Sequence, residues 1–202
     1  MLIRQLHIDD TQSFCNLIVN MFSDLENLEW FSPMPYDFNN VKSMLENPRF
    51  YIIGVFDNNQ LVAVSSFDYK CGKLIGKINF PSNCNTNKLV EIGFTMVHSE
   101  YKGQGIMKKM VKFLVDKAKC DGFEWIFGKV HKNNFASSKS LQKNGFNIHC
   151  PYTKPVSKED FVSLSSQDFF SKQGKENAKI TLNKFLNNSE IYVDYNILIK
   201  NL

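Results

Sequence analysis

Residues 89–119 read as a strand, a glycine turn and a helix in that order. This order constrains the fold of the chain more than any other feature. LVEIGFTMVHS is typical of a strand, and EYKGQGIMKKMVKFLVDKAK follows it directly. In the second segment apolar residues recur at the i, i+3, i+4, i+7 spacing of an amphipathic helix. The apolar stripe consists of Met107, Met110, Val111, Leu114, Val115 and Ala118. This spacing predicts a helix that begins close to Gly105, ends near Gly122 and buries one face.

The start of this helix is a candidate anion site, because unpaired backbone N–H groups and the positive end of the helix dipole meet there. Gly103 and Gly105 have no Cβ, so the backbone can approach a phosphate closely. Taken by themselves, the two glycines are more typical of an ordinary turn than of a phosphate loop. The common nucleotide motifs do not fit, since no Gly-Lys-Ser/Thr sequence is present and Lys108 stands where a dinucleotide motif requires its third glycine.

The segment resembles the central motif of the GNAT N-acetyltransferase superfamily, in which a strand leads into (Arg/Gln)-x-x-Gly-x-(Gly/Ala) and a helix. Residues 102–107, KGQGIM, match this motif; Lys102 keeps the positive charge of an arginine, whereas Met107 replaces a small residue. FEWIFGKV, residues 123–130, then predicts another strand. The superfamily's later Asn and Lys-x-Gly-Phe positions are matched by Asn134, Lys143, Gly145 and Phe146. Two linked motifs at this separation are more specific than either alone.

The resemblance implies one N-acetyltransferase domain over residues 1–202. The implied fold class is α/β, with a mixed, mostly antiparallel central sheet that is flanked by helices and splayed between its two central strands. Acetyl-coenzyme A is the implied co-substrate, and no metal is expected. The implied cofactor-binding residues are Met96, Val97, Lys102, Gly103, Gln104, Gly105, Ile106, Met107, Asn134 and Ser137.

Glu91 is the candidate catalytic residue. By the period of two, Glu91, Gly93, Thr95 and Val97 are expected on one face of their strand. In the histone-acetylating branch of the superfamily a general-base glutamate occupies this strand position, and amine acylation needs a group that removes the ammonium proton. Glu91 could instead form a structural pair with a lysine. His98 is a weaker candidate for the base.

Leu141 departs from the superfamily pattern, because many relatives have a tyrosine there that protonates the leaving thiolate. A helix starting at Asn134 would carry Ser137, Ser138 and Leu141 on the same stripe, toward the cofactor. Tyr101 or Ser138 could replace the missing hydroxyl. The alternative function is therefore a catalytically weak acyl-coenzyme A sensor or binding module.

The acceptor is predicted to be a small-molecule or peptide amine of open identity. The superfamily builds its acceptor pocket from two regions, here residues 30–38 and a helical insertion at about 151–190 before the last strand. Aromatic residues with Asp24, Glu26 and Glu29 nearby could bind a cationic amine, or they could simply close the edge of the core.

Composition excludes several other classes. A chain of 202 residues with 43% hydrophobic content can bury one core, and a net charge of +4 is too small to indicate nucleic-acid binding. Five scattered cysteines without a Cys-x-x-Cys pair indicate reduced thiols and a cytoplasmic protein. No apolar run is long enough for a membrane span, and no signal sequence is recognisable. A monomer or a homodimer is expected.

Overall fold

The computed structural model describes residues 1–23, 30, 37–71, 74–156 and 191–202. In these residues four α-helices flank a seven-stranded sheet. The helices are α1 (Thr11–Ser23), α2 (Phe38–Glu46), α3 (Ile106–Cys120) and α4 (Phe135–Gln142). The strands are β1 (Leu2–Gln5), β2 (Phe50–Asp57), β3 (Gln60–Asp68), β4 (Leu89–Val97), β5 (Trp125–His131), β6 (Asn147–Val156) and β7 (Ile191–Asn201). None of the described helices has the length and apolar character needed to cross a membrane.

The sheet is splayed at its centre. Its strand order is β1-β2-β3-β4-β5-β7-β6, and neighbouring strands are antiparallel except for the parallel pair β4 and β5. The β4–β5 ladder stops at Ile92 and Gly128. Beyond it β4 continues beside β3 to Val97, and β5 continues beside β7 to His131. The two central strands therefore diverge and leave a gap between them, which confirms the predicted fold class.

Apolar clusters cover the two faces of the sheet. On one face α1 and α2 contribute Phe14 and Val41 to a cluster that includes Met96 of β4. On the other face α3 and α4 pack against the sheet, and Met110 lies in a cluster with Ile92. Each helix thus packs apolar residues against the sheet, and the faces are called here the α1 face and the α3 face.

A β-bulge interrupts β4 beside the gap. The β3–β4 register shifts between Ser65 and Phe67, so Gly93 and Phe94 of β4 lie opposite the single residue Ser66 of β3. β4 thus has one extra residue at this point. The side chains after the bulge therefore lie on the opposite face from the one that regular alternation would give them.

The bulge corrects the predicted orientation of Glu91. Ile92 packs in the α3-face cluster, whereas Met96, also an even-numbered residue, packs in the α1-face cluster. Regular alternation would have placed both on the same face. Glu91 therefore lies on the α1 face together with Met96. The prediction that Glu91 shares a face with Thr95 and Val97 is wrong.

The other predicted elements are largely present. Asn58 and Asn59, with φ of 45° and 66°, form the two-residue turn of the β2–β3 hairpin. Helix α3 starts after Gly105 and ends before Gly122, as its apolar stripe indicates. Helix α2 was not predicted, because a segment rich in prolines and aromatics precedes it; Asp37 caps it by accepting the N–H of Asn40 at 3.0 Å.

The predicted helical insertion begins too early in the sequence. Residues up to Val156 belong to β6, which pairs with β7 along its length, so 151–156 are strand and not helix. The rest of the predicted insertion, 157–190, lies outside the described residues.

Candidate active site

The glycine turn, residues 102–107, exposes the start of α3. Gly103 and Gly105 have φ of 80° and 74°, a region that favours glycine, and no atom lies within 4 Å of a Cβ built on either residue. The first hydrogen bond into α3 runs from Lys109 N–H to Gly105 O at 3.1 Å. The N–H groups of residues 106–108 therefore have no partner in the helix and point out of its end. This turn is suited to phosphate groups.

The backbone N–H groups of β4 point alternately toward β3 and toward the gap. His98 N–H donates to Val62 O of β3 at 2.9 Å. Because successive N–H groups of a strand point in opposite directions, the N–H of Val97 points toward the gap and that of Met96 toward β3. The Met96 side chain is only 1% exposed and packs in the α1-face core. Of these two predicted cofactor residues, Val97 faces the gap and Met96 does not.

A cavity of about 570 Å³ lies at the gap. The predicted stripe of α4 lines one side of it through Asn134, Ser137 and Leu141, and Met107 of the glycine turn reaches the same side. Glu91 lines it from the α1 face. The cavity thus connects the start of α3 with the candidate base across the splayed centre of the sheet.

Packing and hydrogen bonding hold Asn134 and Leu141 beside the cavity. Asn134 caps the helix, since its Oδ1 accepts the N–H of Ser137 at 3.1 Å. Leu141 is 2% exposed and packs against Gly128 of β5, where an added Cβ would lie 3.1 Å from Leu141 Cδ1. The glycine on β5 therefore makes room for the leucine.

Glu91 has the properties of a proton acceptor. Within the described residues its carboxylate forms no hydrogen bond and no ion pair within 4 Å, although it is partly buried. The pKa of Glu91 is raised to about 7, chiefly by burial; Lys129 and Arg49 lower it, while nearby Asp68 adds to the rise. A carboxyl group with such a pKa can take up a proton near neutral pH.

The second carboxylate beside Glu91 is neutralised by an arginine. Asp68 lies opposite Glu91 in the β3–β4 register. Arg49 Nε donates to Asp68 Oδ1 at 2.7 Å, and Arg49 Nη2 donates to Asp68 Oδ2. This bidentate pair leaves Glu91 as the carboxylate that is open to the cavity among the described lining residues.

A family model described as the acetyltransferase (GNAT) domain matches residues 1–147. The chain belongs to the GNAT acetyltransferase family. The family predicted from the glycine turn and the later Asn and Lys-x-Gly-Phe positions is thereby confirmed.

Solved structures share the fold of this GNAT chain. A ribosomal-protein-alanine N-acetyltransferase from Brucella melitensis is 16% identical, with 100% of each chain covered and a TM-score of 0.65. A putative acetyltransferase from Salmonella typhimurium, solved with its cofactor acetyl-CoA, is 15% identical, with 100% of this chain and 93% of that chain covered and a TM-score of 0.63. At these identities the likeness shows the fold alone.

A curated relative matches a shorter part of the GNAT chain. GCN5-related N-acetyltransferase 6, chloroplastic, from Arabidopsis thaliana is 35% identical over 63 residues. The match covers 31% of this chain and 22% of that protein.

Two groups that the sequence suggested as catalytic alternatives lie elsewhere in the GNAT domain. His98 Nδ1 accepts the N–H of Glu100 at 3.3 Å, and Tyr101 donates its hydroxyl proton to Asp57 at 3.1 Å. Neither residue is among the described residues that line the cavity, and the same holds for Ser138. The hydrogen bonds of His98 and Tyr101 therefore lie outside the cavity.

Sequence reasoning missed most of the polar residues that line the cavity. Ser66, Asp68, Arg49 and Lys129 reach it because strands distant in the sequence pair with one another. Lys129 carried a signal, since it is a charged residue within the apolar run of β5. The predicted acceptor region contributes Trp30, whereas Asp24, Glu26 and Glu29 lie outside the described residues.

Proposed function

We propose that this domain transfers the acetyl group of acetyl-coenzyme A to a primary amine by direct attack in a ternary complex, with Glu91 as general base. The observation that carries the proposal is the unpaired Glu91 carboxylate, with its pKa of about 7, in a cavity that also reaches the start of α3. A family of acetyltransferases and a solved relative crystallised with acetyl-CoA support it.

The residues present fit coenzyme A. The free N–H groups at the start of α3 and the open surface over Gly103 and Gly105 would hold its pyrophosphate. Asn134 and Ser137 would contact its pantetheine arm, and the N–H of Val97 would polarise the thioester carbonyl. When bound, the thioester supplies an acyl group activated for attack by a nucleophile.

Glu91 would accept the proton that an ammonium must lose before its nitrogen can attack a carbonyl. Because Glu91 lies on the α1 face, the acceptor would bind on that side of the sheet, while the glycine turn and α4 would hold the cofactor from the other. The gap between β4 and β5 lets the two substrates meet. Base and acyl donor thus approach the amine from different directions.

Leu141 offers the leaving thiolate no proton donor. Leu141 occupies the position where many relatives have a tyrosine, and it packs into the α3-face core. A coenzyme A thiolate resembles an ordinary thiol, with a pKa of about 8.5, so water would serve as its acid. This feature favours the second candidate function, a catalytically weak acyl-coenzyme A sensor.

One assay separates the two functions. Release of free thiol from acetyl-coenzyme A is measured with a panel of amino acids, polyamines, aminoglycosides and peptides, and coenzyme A binding is measured by calorimetry. Binding together with acceptor-dependent thiol release supports the transferase. Binding without release for any amine supports the sensor, and absence of binding contradicts both.

A further inference from the structure

The described side chains that line the cavity carry more positive than negative charges. Its described lining contains Arg49, Lys77, Lys129 and Lys154, against the two carboxylates Asp68 and Glu91. Asp68 is already engaged by Arg49. The remaining lysines exceed the remaining carboxylate, so the described part of the cavity has unmatched positive charge.

Lys129 and Lys154 project into the same side of the cavity. Along β5, Ile126 and Val130 pack on the α3 face, so Lys129, of opposite parity, lies on the α1 face. Lys154 of β6 pairs with Val193 of β7, which packs in the α1-face core, and paired residues share a face. The two lysines thus stand on the face that carries Glu91.

The ammonium of Lys129 interacts electrostatically with Glu91 but contacts no carboxylate of the described residues directly. Its Nζ lies 5.1 Å from the centre of the Tyr195 ring, and it forms no ion pair within 4 Å there. Burial and the positive charge of Lys154 lower the pKa of Lys129, while Glu91 opposes the shift. A partly buried cation beside a second cation is an unfavourable arrangement that a bound anion would relieve.

We propose that the amine acceptor carries an anionic group, a carboxylate or a phosphate, that binds between Lys129 and Lys154 while its amine faces Glu91. This inference rests on the proposed acetyl transfer. The acceptor is then a zwitterion of the kind that amino acids and aminoalkyl phosphates represent. Polyamines and other purely cationic amines would meet repulsion from the same two lysines.

Matched acceptors test this preference. Glycine, β-alanine and 4-aminobutyrate are compared with their amides, which keep the amine and lose the negative charge. The pair 2-aminoethyl phosphate and ethanolamine tests phosphate as the anion, and 1,3-diaminopropane represents cationic acceptors. We expect kcat/KM for the anionic member of at least one pair to exceed that of its neutral partner by roughly tenfold to a hundredfold, as for a hydrogen bond to a charged group. The pair that shows the preference distinguishes carboxylate from phosphate.

Lysine variants link the preference to its site. Lys129→Met and Lys154→Met should each lower the ratio of kcat/KM between the charged and the neutral acceptor by about tenfold or more. The ratio is used because Lys129 also acts on the pKa of Glu91, which affects both acceptors alike. Lys88→Met is the matched control, since Lys88 pairs with Glu124 outside the cavity and should leave the ratio unchanged.

The outcomes separate this inference from the proposed function. Acetyl transfer with equal kcat/KM for charged and neutral acceptors, or a preference that survives both lysine variants, would overturn the inference and leave the transferase intact. Absence of transfer to every amine would overturn the transferase and this inference with it. Calorimetric titration of the preferred zwitterion into the protein with coenzyme A should show binding that Lys154→Met weakens, and equal binding to both proteins would also contradict the site.

Discussion

At the scale of single residues, burial of the Glu91 carboxylate suits its proposed role as a base and lowers the stability of the folded protein. The carboxylate loses water contacts in the cavity and receives no hydrogen bond from the described residues in return. Its pKa of about 7 lies close to neutral pH, where a base is most effective. The same property makes two measurable predictions, one for catalysis and one for stability.

Glu91→Gln should lower turnover by about 10² to 10⁴, because the amide keeps the shape of the side chain and removes its basicity. In the unmodified protein kcat/KM should rise with pH through about 7, as the Glu91 carboxyl loses its proton. Steady-state rates across this range measure both effects, and calorimetry should show nearly unchanged coenzyme A affinity.

Glu124→Gln is the matched control for Glu91→Gln. Glu124 forms a surface pair with Lys88 and does not line the cavity, so its amide variant should keep full turnover. If Glu91→Gln retained full turnover as well, the role of general base would be excluded.

Leu141→Tyr should raise turnover per folded molecule if protonation of the thiolate limits the rate. The phenol, with a pKa of about 10, would stand on the stripe of α4 that lines the cavity. The effect should be largest at low pH, where the phenol stays protonated. Leu141 is buried against Gly128, so the added bulk should cost about 1 to 3 kcal/mol of stability.

Leu141→Phe separates the hydroxyl from the bulk, because it adds the same ring without the proton donor. Rates are compared per folded molecule, with the folded fraction measured by thermal unfolding. Equal turnover of the tyrosine and phenylalanine variants at every pH would show that leaving-group protonation does not limit the reaction.

At the scale of elements, the bulge of β4 determines which side chains enter the cavity. A Cβ on Gly93 would collide with the Ser66 hydroxyl oxygen, and the next nearest atoms of Ser66 lie 3.7 Å away. Ser66 Oγ is buried and has no hydrogen-bond partner among the described residues. The bulge therefore depends on a glycine opposite a small residue.

Gly93→Ala should destabilise the protein by about 1 to 3 kcal/mol, the usual range for overpacking. Removing the hydroxyl should relieve the collision, so Ser66→Ala combined with Gly93→Ala should regain most of that loss. Chemical denaturation of the two single variants and the double variant measures the coupling between the two sites. Additive losses would mean that the two side chains do not interact.

Gly105→Glu should abolish the stabilisation that coenzyme A gives to the folded protein. The carboxylate would occupy the approach to the free N–H groups of α3 and repel phosphate. Gly122→Glu is the matched control, since Gly122 has a similar φ of 81° and equally open surroundings at the other end of α3. Both variants should lose similar stability, and only Gly122→Glu should keep the upward shift of Tm with coenzyme A.

The sequence predicted the helices and turns of the site better than it predicted which side chains lie close together. The glycine turn and α3 were predictable because positive φ and apolar spacing are local properties of residues such as Gly105 and Met110. The bulge at Gly93 was not predictable, since a lone glycine in a strand does not specify a bulge. Arg49 and Lys129 meet near Glu91 through pairing of distant strands, which local patterns do not specify.

At the scale of the whole molecule, burial of Glu91 should make stability depend on pH. Its pKa of about 7 exceeds the ordinary value of 4.5, so between these values the folded protein binds more protons than the unfolded chain. The contribution of Glu91 to stability is therefore present below about pH 4.5 and is lost as pH rises to about 7. Glu91→Gln should have no such loss.

We expect Glu91→Gln to gain roughly 1 to 3 kcal/mol of stability relative to the unmodified protein on going from pH 4.5 to pH 8. Urea denaturation of both proteins at several pH values measures this difference, in which the other carboxyl groups largely cancel. A difference that stays constant over the range would show that the Glu91 pKa is not raised by folding.

The strand order of the sheet also affects how the protein can form during translation. Strands β5 and β6 do not pair with each other; both pair with β7, which is made 35 residues after β6 ends. The ribosome therefore releases β1 to β4 in the order in which they pair, but β5 must wait for residues 191–201 before its antiparallel neighbour exists. Until then the lysines of β5 and β6 cannot face one cavity. A nascent chain would therefore complete the turn proposed to bind the cofactor well before the cavity proposed to bind the acceptor.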